Sequence, residues 1–564
     1  MIRVDKHARG IAIGAPEGAD RNPEILRVGV EFGDRAHVSQ GRLIIPIEAA
    51  AEILRLLGTN LVAWDHGLLA RAQQQDHLRT AQLRARLQVA GALEQPLTVL
   101  NGYPRLANLD PHQVQAVAAI VIPELQGIAL FDEQGTGKTI TTLAAFDVLK
   151  SQQRVHRMLV IAPKSVIGSW RSESIRFLGD KIRVSVASGP SAVRRQAILR
   201  AHDILIIGYE SAVREEGLLR TVLGACPATY LLVIDESFFI KNRMTARARS
   251  VGRLRQFCER ALVLCGTPAP NSPFDVINQI DIADRGTAFT GRHISKDRTA
   301  ALKEIKEGLE NAIVLRRLKV DVLPHLPSKH FVRLYVELAP AQRELYENVR
   351  RELISAVRRV GDREFSRQLS SFLARRVLLL QICSNPRSVD PLYEEVPAKL
   401  RALDRLLHEI VVQQHEKVVI WSYFRTSLNA IAERYATCGL VRIDGSVTSI
   451  EDRISAVDRF QHDSSVRVFL GNAAAAGAGI TLTAAHHAIY ESFSNQAAHY
   501  MQSVDRIHRR GQIAQVLSHI LIARETIEDR EYARLTEKER AGRELLGDNY
   551  SETITRDRFL SDLL

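Results

Sequence analysis

Short, uninterrupted apolar runs recur along this chain, and each is followed by a segment with helical spacing. After residue 109 the runs are GIALF, RMLVIAP, DILIIGY, YLLVIDE and RALVLCGTP, and after residue 416 they are KVVIWSY, LVRIDG, VRVFLGN, HHAIYES and VLSHILIA. Strands that are apolar on both faces and alternate with helices are typical of parallel sheets covered on both sides. The sequence therefore predicts an α/β protein with two parallel-sheet lobes.

The remaining segments differ in character and set the predicted domain boundaries. A strand-like stretch, RVGVEF, precedes helical runs near the N-terminus, and an Arg- and Glu-rich helical stretch separates the two lobes. We predict a small α+β N-terminal accessory domain at 1–95, a first lobe at 96–300, a helical protrusion or bridge at 301–395, a second lobe at 396–530 and a helical tail at 531–564. For the accessory domain, docking of a protein or DNA partner and simple packing both remain open.

The charge balance points to a polyanionic partner. The formal net charge is +12, and arginine supplies most of the positive charge. Because the planar guanidinium group matches phosphate geometry, a basic surplus of this kind favours nucleic acid. A solvated basic surface without a specific partner is the alternative.

The lengths of the apolar runs also bear on the cellular location of the protein. A membrane-spanning helix needs about 18–20 apolar residues, which none of the runs approaches, and the N-terminus lacks the pattern of a signal peptide. We therefore expect a cytoplasmic protein without a membrane partner. The five cysteines are scattered without metal-ligand spacing, which favours reduced core thiols over a structural zinc site.

A glycine-rich stretch, LFDEQGTGKTITT, lies between an apolar run and a helical segment. Its candidate phosphate-binding residues are Gly135, Thr136, Gly137, Lys138 and Thr139. In that context the backbone amides would surround a phosphate, Lys138 would reach the outer phosphates, and the Thr139 hydroxyl would ligate Mg²⁺. Asp132 stands where the common pattern has its first glycine, so an accidental glycine turn is the alternative.

An acidic pair follows the run YLLVIDE. Asp235, at the end of a buried strand, is a candidate Mg²⁺ ligand, and Glu236 beside it is a candidate general base for water. An acidic turn after a core strand is the alternative. The phosphate loop upstream favours a catalytic role over that alternative.

A basic segment of the second lobe, QSVDRIHRRGQ, supplies the third element. Helical spacing predicts that Gln502, Arg506 and Arg509 lie on one face. Arginines that reach across a cleft stabilise the charge that develops in phosphoryl transfer. By itself such a segment is more often a solvated basic helix, but its position after a buried strand of a second α/β unit favours the role in phosphoryl transfer.

Together these motifs, in this order over residues 109–530, resemble those of the Swi/Snf-related ATPases, the DNA-translocating branch of the superfamily-two helicases. DEQGTGKT is similar to a loop that in this family often has Asp in place of the first glycine, and LDPHQ implicates Gln113 in reading adenine. The motifs APKSVIGSWRSE, IIGYES and GAGITLTAA resemble the DNA-side motifs and implicate Lys164, Ser165, Trp170, Tyr209, Thr481 and Thr483. DESFFIKN and LCGTPAPNS resemble the motifs that couple the two sites and implicate Phe238, Gly266, Thr267 and Asn271.

The resemblance implies two RecA-like lobes, with ATP and Mg²⁺ in the cleft and double-stranded DNA across the top. Contacts to DNA phosphates would make binding sequence-independent and salt-sensitive. Most members of this branch translocate without separating strands. An ATP-switched DNA clamp or recruitment subunit with weak hydrolysis is one alternative, and a strand-separating helicase is another.

The chain departs from the family pattern at the coupling motifs. Phe238 stands where the family has His, Cys265 stands where it usually has Thr, and the aromatic–Asn–Pro stretch is degraded to ESFSNQAAHYMQ. A phenyl ring cannot make the hydrogen bonds of an imidazole, so the coupling of DNA binding to hydrolysis is the property most affected. Mutual compensation of the two substitutions by apolar packing is the alternative.

Overall fold

The protein is described here by a computed structural model. The described residues are 1–8, 10–16, 18–33, 36–60, 62–225, 230–269, 273–289, 294–295, 298–447, 449–473, 480–493, 497–534, 536 and 556–563.

The N-terminal residues form a five-stranded sheet with two helices. Its strands are β1 (Ile2–His7), β2 (Gly10–Gly14), β3 (His37–Ser39), β4 (Arg42–Ile45) and β5 (Val62–Trp64), and its helices are α1 (Pro23–Phe32) and α2 (Ala50–Leu57). The strand order is β3-β4-β2-β1-β5, in which only β1 and β5 pair in parallel. The domain is α+β as predicted, but the strand-like stretch RVGVEF is wrong in detail, since it lies in α1.

A long helix joins this sheet to the first lobe. Helix α3 (His66–Glu94) begins at the side chain of Asp65, which accepts a hydrogen bond from the backbone N–H of Leu68, and α4 (Pro96–Val99) follows it. Near its C-terminal end, Ala85 and Val89 are buried in the core of the first lobe. The accessory domain is therefore packed on that lobe through α3.

The first lobe contains a seven-stranded, wholly parallel sheet. Its strands are β6 (Gly127–Leu130), β7 (Arg157–Ala162), β8 (Val184–Ala187), β9 (Ile204–Gly208), β10 (Tyr230–Asp235), β11 (Arg260–Leu264) and β12 (Val314–Leu315), in the order β12-β6-β11-β10-β7-β9-β8. Its helices are α5 (Pro111–Ile120), α6 (Lys138–Ser151), α7 (Ile167–Leu178), α8 (Ser191–Leu199), α9 (Tyr209–Arg214), α10 (Glu216–Gly224), α11 (Ala246–Arg255), α12 (Ile277–Asp284), α13 (Arg298–Asn311) and α14 (Lys319–Val322). Ile128 and Leu130 pack on one side of the sheet, whereas Ala129 and Phe131 pack on the other, so both faces are buried.

The second lobe contains a six-stranded, wholly parallel sheet. Its strands are β13 (Lys329–Val336), β14 (Val418–Trp421), β15 (Leu440–Ile443), β16 (Val468–Gly471), β17 (His487–Tyr490) and β18 (Val516–Ala523), in the order β13-β18-β17-β14-β16-β15. Its helices are α17 (Ala398–Leu407), which continues as a π-helix (His408–Gln413), α18 (Arg425–Arg434), α19 (Ile450–His462) and α20 (Ala497–Val504). The two parallel sheets with their helical layers confirm the predicted fold class.

The segment 301–395, predicted as a helical bridge, is not wholly helical. It contains α15 (Pro340–Arg358) and α16 (Asp362–Ser384), but β12 joins the first sheet and β13 joins the second. The boundaries differ because β12 has two residues and β13 is an edge strand whose side chains are mostly exposed, so neither has the apolar run of a buried strand. A final helix, α21 (Arg556–Leu563), returns to α15, where Arg350 Nε donates to the Leu563 carbonyl at 2.6 Å.

Among the residues that the structure describes, no helix has the length and apolar character required to span a bilayer.

Candidate active site

The phosphate loop lies between β6 and α6. Gly135 and Gly137 both have φ of +88°, a left-handed conformation that glycine adopts without a steric penalty. Gly137 immediately precedes the first residue of α6, Lys138, so the free backbone N–H groups of that helix face the loop. Thr139 is half-buried in the first turn of the same helix.

The cations around this loop already have partners in the first lobe. Lys138 Nζ donates to the carbonyls of Asp132 at 2.8 Å and Glu133 at 3.3 Å. The Asp132 carboxylate is buried and accepts from Arg317 Nε at 3.0 Å and Nη2 at 2.6 Å. The acidic residue at the first position of the loop is therefore one half of a buried ion pair.

Gln113, the predicted adenine reader, contacts the loop. Its Oε1 accepts from the backbone N–H of Asp110 at 2.9 Å, and its Nε2 donates to the Thr136 carbonyl at 3.3 Å. A Cβ atom on Gly137 would lie 2.2 Å from Gln113 Nε2, which explains the need for glycine there. Recognition of adenine by Gln113 stays a prediction.

The acidic pair lies at the carboxyl end of β10. Asp235 Oδ2 accepts from Trp170 Nε1 at 2.8 Å, and Asp235 Oδ1 accepts from the backbone N–H of Glu236 at 2.9 Å. Glu236 has φ of +51°, a left-handed conformation that costs a non-glycine residue free energy and is concentrated at functional sites. Burial raises the pKa of Glu236, and the adjacent Asp235 raises it further.

Gln134 is a contact that the sequence did not reveal. Its Nε2 donates to Glu236 Oε1 at 2.8 Å, and a Cβ atom on Gly266 would lie 2.5 Å from its Oε1. The Gln134 side chain thus lies between the candidate base and the coupling motif. In the sequence, Gln134 is marked only by its position inside the phosphate loop, at a place where the loop pattern does not specify a residue.

The arginine segment of the second lobe faces this loop. A Cβ atom on Gly135 would lie 3.2 Å from the Cβ of Arg509, so the two lobes are in van der Waals contact at the phosphate loop. Helix α20 ends at Val504, so Arg506 and Arg509 do not share a helical face with Gln502 as predicted. A turn after the helix positions them instead.

Arg506 is 2% exposed, and its Nε and Nη2 have no hydrogen-bond partner among the described residues. The same holds for Gln502 Nε2, within that part of the chain. Burial and, to a smaller extent, the neighbouring Arg509 lower the pKa of Arg506 to about 10, while Glu236 and Asp235 oppose the shift. The Arg506 guanidinium therefore lies in the field of the acidic pair from the other lobe.

Lys319 connects the two lobes, and it was not singled out from the sequence. Its backbone N–H donates to Glu133 Oε2 at 2.8 Å, and its Nζ donates to Asp505 Oδ1 at 2.5 Å and to the His508 carbonyl at 2.9 Å. The Lys319 side chain is 4% exposed. This connection holds the arginine segment against the phosphate loop.

The residues predicted on the DNA side fall into two groups. Lys164 is exposed and Ser165, Thr481 and Thr483 are half-buried, which leaves them accessible to a ligand. Trp170 and Tyr209 are only 1% and 2% exposed.

Contact of Trp170 and Tyr209 with DNA stays a prediction, and in this structure their polar atoms bind within the first lobe. The Trp170 indole donates to the Asp235 carboxylate, and the Tyr209 hydroxyl donates to the Asp235 carbonyl at 2.7 Å. Both aromatic residues position the acidic pair.

The coupling residues lie behind the acidic pair. Phe238 and Cys265 are buried in the same apolar cluster, and burial raises the pKa of the Cys265 thiol to about 12. Thr267 follows the buried Gly266, and its hydroxyl has no partner among the residues described. Asn271 lies outside the described residues. Shared burial favours packing compensation for the two departures from the family pattern.

The residues that meet in the cleft fit a nucleoside triphosphate with a divalent cation. Buried, unpartnered donors on Arg506 and Gln502 require an anionic or polar acceptor, because such groups cost free energy when left unsatisfied. Glu236 Oε2 is likewise buried without a partner in the described structure. The carboxylate of Asp235 and the hydroxyl of Thr139 are oxygen donors of the kind that Mg²⁺ prefers.

Two family profiles match the chain. The one described as "SNF2-related domain" matches residues 112–388, and the one described as "Helicase conserved C-terminal domain" matches residues 398–511.

Curated relatives align over most of this chain. The ISWI chromatin-remodeling complex ATPase ISW1 of Saccharomyces cerevisiae is 30% identical over 467 residues, which are 76% of this chain and 40% of that protein. An uncharacterized ATP-dependent helicase of Mycoplasma pneumoniae is 29% identical over 469 residues, which are 81% of this chain and 44% of that protein. The chain thus spans less than half the length of these relatives.

A solved structure described as the Sulfolobus solfataricus SWI2/SNF2 ATPase core in complex with dsDNA is 24% identical to this chain. The alignment covers 81% of this chain and 100% of that chain, with a TM-score of 0.37.

Proposed function

We propose that this chain, which belongs to the Swi/Snf-related ATPase family, hydrolyses ATP. The free energy of hydrolysis moves the protein along double-stranded DNA without obligatory strand separation. One observation carries the proposal. Buried guanidinium donors of Arg506, without a partner in the described structure, lie in the electrostatic field of the acidic pair, and the same segment packs on the phosphate loop of the first lobe.

In the first lobe, the loop residues bind the triphosphate. The free backbone N–H groups at the start of α6 donate to phosphate oxygens, and Lys138 exchanges its loop carbonyls for the outer phosphates. Thr139 and Asp235 would hold Mg²⁺, which supplies charge neutralisation of the phosphates when bound. Trp170 keeps the Asp235 carboxylate in place.

Glu236 acts as the general base. One of its carboxylate oxygens accepts a proton from the attacking water, and the hydrogen bond from Gln134 holds the other. Burial raises the pKa of Glu236, which makes the carboxylate a better proton acceptor once it is ionised.

In the second lobe, Arg506 and Arg509 complete the site. Their guanidinium groups stabilise the negative charge that spreads over the transferred phosphoryl group. Gln502 donates its free amide N–H to the nucleotide. Because these donors come from the other lobe, hydrolysis requires the lobes to be closed.

Duplex DNA is the proposed track. The net charge of +12 and the accessible Lys164, Ser165, Thr481 and Thr483 support contacts to phosphates rather than to bases. Binding of this kind weakens steeply with salt and does not depend on sequence.

An ATP-switched clamp with weak hydrolysis is the second candidate, and the apolar Phe238 and Cys265 at the coupling motif favour it. We would measure the ATPase rate without nucleic acid and with duplex DNA, single-stranded DNA and RNA. A translocase on duplex DNA is stimulated most by duplex. An equal rate under all conditions supports the clamp, and strand displacement on a forked substrate supports a helicase.

A further inference from the structure

Two histidines and a glutamate meet at the amino end of the second sheet. His487 is the first residue of β17, and it pairs in register with Val418, the first residue of β14. Glu416 lies two residues before the first residue of β14, and His486 immediately precedes β17. Parallel neighbouring strands therefore bring all three side chains to one edge of the sheet.

The three side chains point at one another. Glu416 Oε2 lies 2.7 Å from His486 Nε2 and 2.9 Å from His487 Nε2. One ligand atom from each residue lies within 4.8 Å of the other two. The side chains are 34%, 26% and 8% exposed in the order Glu416, His486 and His487, so the cluster is sheltered but open on one side.

Despite these short distances, Glu416 Oε2 is buried and accepts no hydrogen bond from the described residues. The two ring nitrogens are close enough but are not aligned with the oxygen as hydrogen-bond donors. A buried carboxylate oxygen without a donor is costly. A cation between the three atoms would remove that cost.

A third histidine lies behind His487. His487 Nδ1 lies 3.3 Å from His519 Nε2, and the two rings stack at 5.6 Å. Such a contact fixes the tautomer of a ligating histidine and leaves Nε2 for the ion.

We propose that Glu416, His486 and His487 form a zinc site. Two imidazole nitrogens and one carboxylate oxygen are a zinc donor set, in which water fills the fourth position, whereas Mg²⁺ and Ca²⁺ prefer oxygen ligands alone. The site is separate from the phosphate loop and uses no cysteine, which is why cysteine spacing gave no sign of it.

The site lies beside the arginine segment. The carbonyl of Ala485, the residue before His486, accepts from Gln512 Nε2 at 2.8 Å, and the Ile480 carbonyl accepts from Arg509 Nη1 at 3.3 Å. Zinc would thus fix the start of β17, and Ala485, two residues before that strand, is hydrogen-bonded to the arginine segment.

The test is calorimetric titration of the metal-free full chain with Zn²⁺ alone. We expect one saturable site per chain, and binding at least about tenfold weaker in Glu416→Gln and in His486→Gln, the minimum loss seen when even a supporting contact of a zinc ligand is removed. Both residues are half-buried, so the variants should fold; their melting temperatures without metal check this.

The matched control is His462→Gln. His462 is exposed and lies 3.0 Å from Asp458, and within the described part of the chain no third ligand accompanies this histidine–carboxylate pair. The control should bind zinc as the unmodified chain does. The proposal is overturned if the unmodified chain shows no saturable zinc binding, or if Glu416→Gln and His486→Gln bind zinc as tightly as the unmodified chain. It is also overturned if zinc binding to the control weakens as much as binding to those two variants.

Discussion

The two faces of the cleft satisfy their polar groups in different ways. On the face of the first lobe, Lys138, Asp132 and Asp235 all have protein partners. On the face of the second lobe, Arg506 and Gln502 present buried donors that no described residue accepts. The first face is therefore organised mainly by the protein, with Glu236 Oε2 as its open acceptor, whereas the donors of the second face are completed by what binds in the cleft.

This difference separates folding from catalysis. A side chain with partners inside the protein contributes both to the stability of the fold and to ligand binding, so its removal affects both properties. A buried guanidinium without a partner is a cost to the folded state, which the chain retains for the chemistry. The four variants below test that division, from the largest expected effect to the smallest.

Replacement of Arg506 by methionine should lower ATP turnover by about 10³-fold or more, the range of an arginine that stabilises phosphoryl transfer. The melting temperature should stay the same or rise, because an unpartnered buried charge is removed. Steady-state ATPase rates and thermal unfolding measure both effects. The control is Arg510→Met, which removes an exposed pair with Asp110 from the same segment and should change neither by much. A clear loss of stability in Arg506→Met would contradict the contrast between the two faces.

Glu236→Gln should lower turnover by about 10²–10⁴-fold, the contribution of a general base. Nucleotide and DNA binding should persist, because the amide keeps the shape of the side chain. Single-turnover hydrolysis and equilibrium binding separate the two properties. Unchanged turnover would remove Glu236 from the role of base.

Lys319→Met should destabilise the closed form by about 3–5 kcal/mol, because it leaves Asp505 buried without its cation. Replacement of both residues, Lys319→Met with Asp505→Leu, should recover most of that loss. Denaturant unfolding of the single and double variants measures the recovery. Equal instability of the two would show that the pair does not act as a unit.

Gln134→Leu should move the acid limb of the pH–rate profile to higher pH, with a modest loss of rate at neutral pH. Gln134 donates to the ionised form of Glu236 and so opposes the rise that burial causes in its pKa. Without that donor the pKa rises further, and the base is protonated up to a higher pH. An acid limb that does not move would exclude this role, whereas Gln134→Asn tests partial rescue.

The sequence predicted the fold class because buried parallel strands are continuous apolar runs, and β6, β7, β9, β10 and β11 all coincide with such runs. It missed β12 and β13, which have too few buried side chains to leave a pattern. Contacts between distant residues left no local signal either. The pair of Asp132 with Arg317 and the contact of Trp170 with Asp235 depend on how helices and connections pack, which periodicity does not encode.

The prediction that singled out Arg506 from the sequence was partly wrong. Helical spacing suggested that it shares a face with Gln502, but the helix ends at Val504. The chemistry of the segment, an arginine pair after a buried strand, was the informative part.

The contact between Gly135 and Arg509 has a consequence for the timing of the cycle. The backbone that receives the phosphates is covered by the opposite lobe, without a side chain between them. Spent nucleotide can leave only when the halves part, so the slowest event of each round should be a mechanical opening rather than bond cleavage.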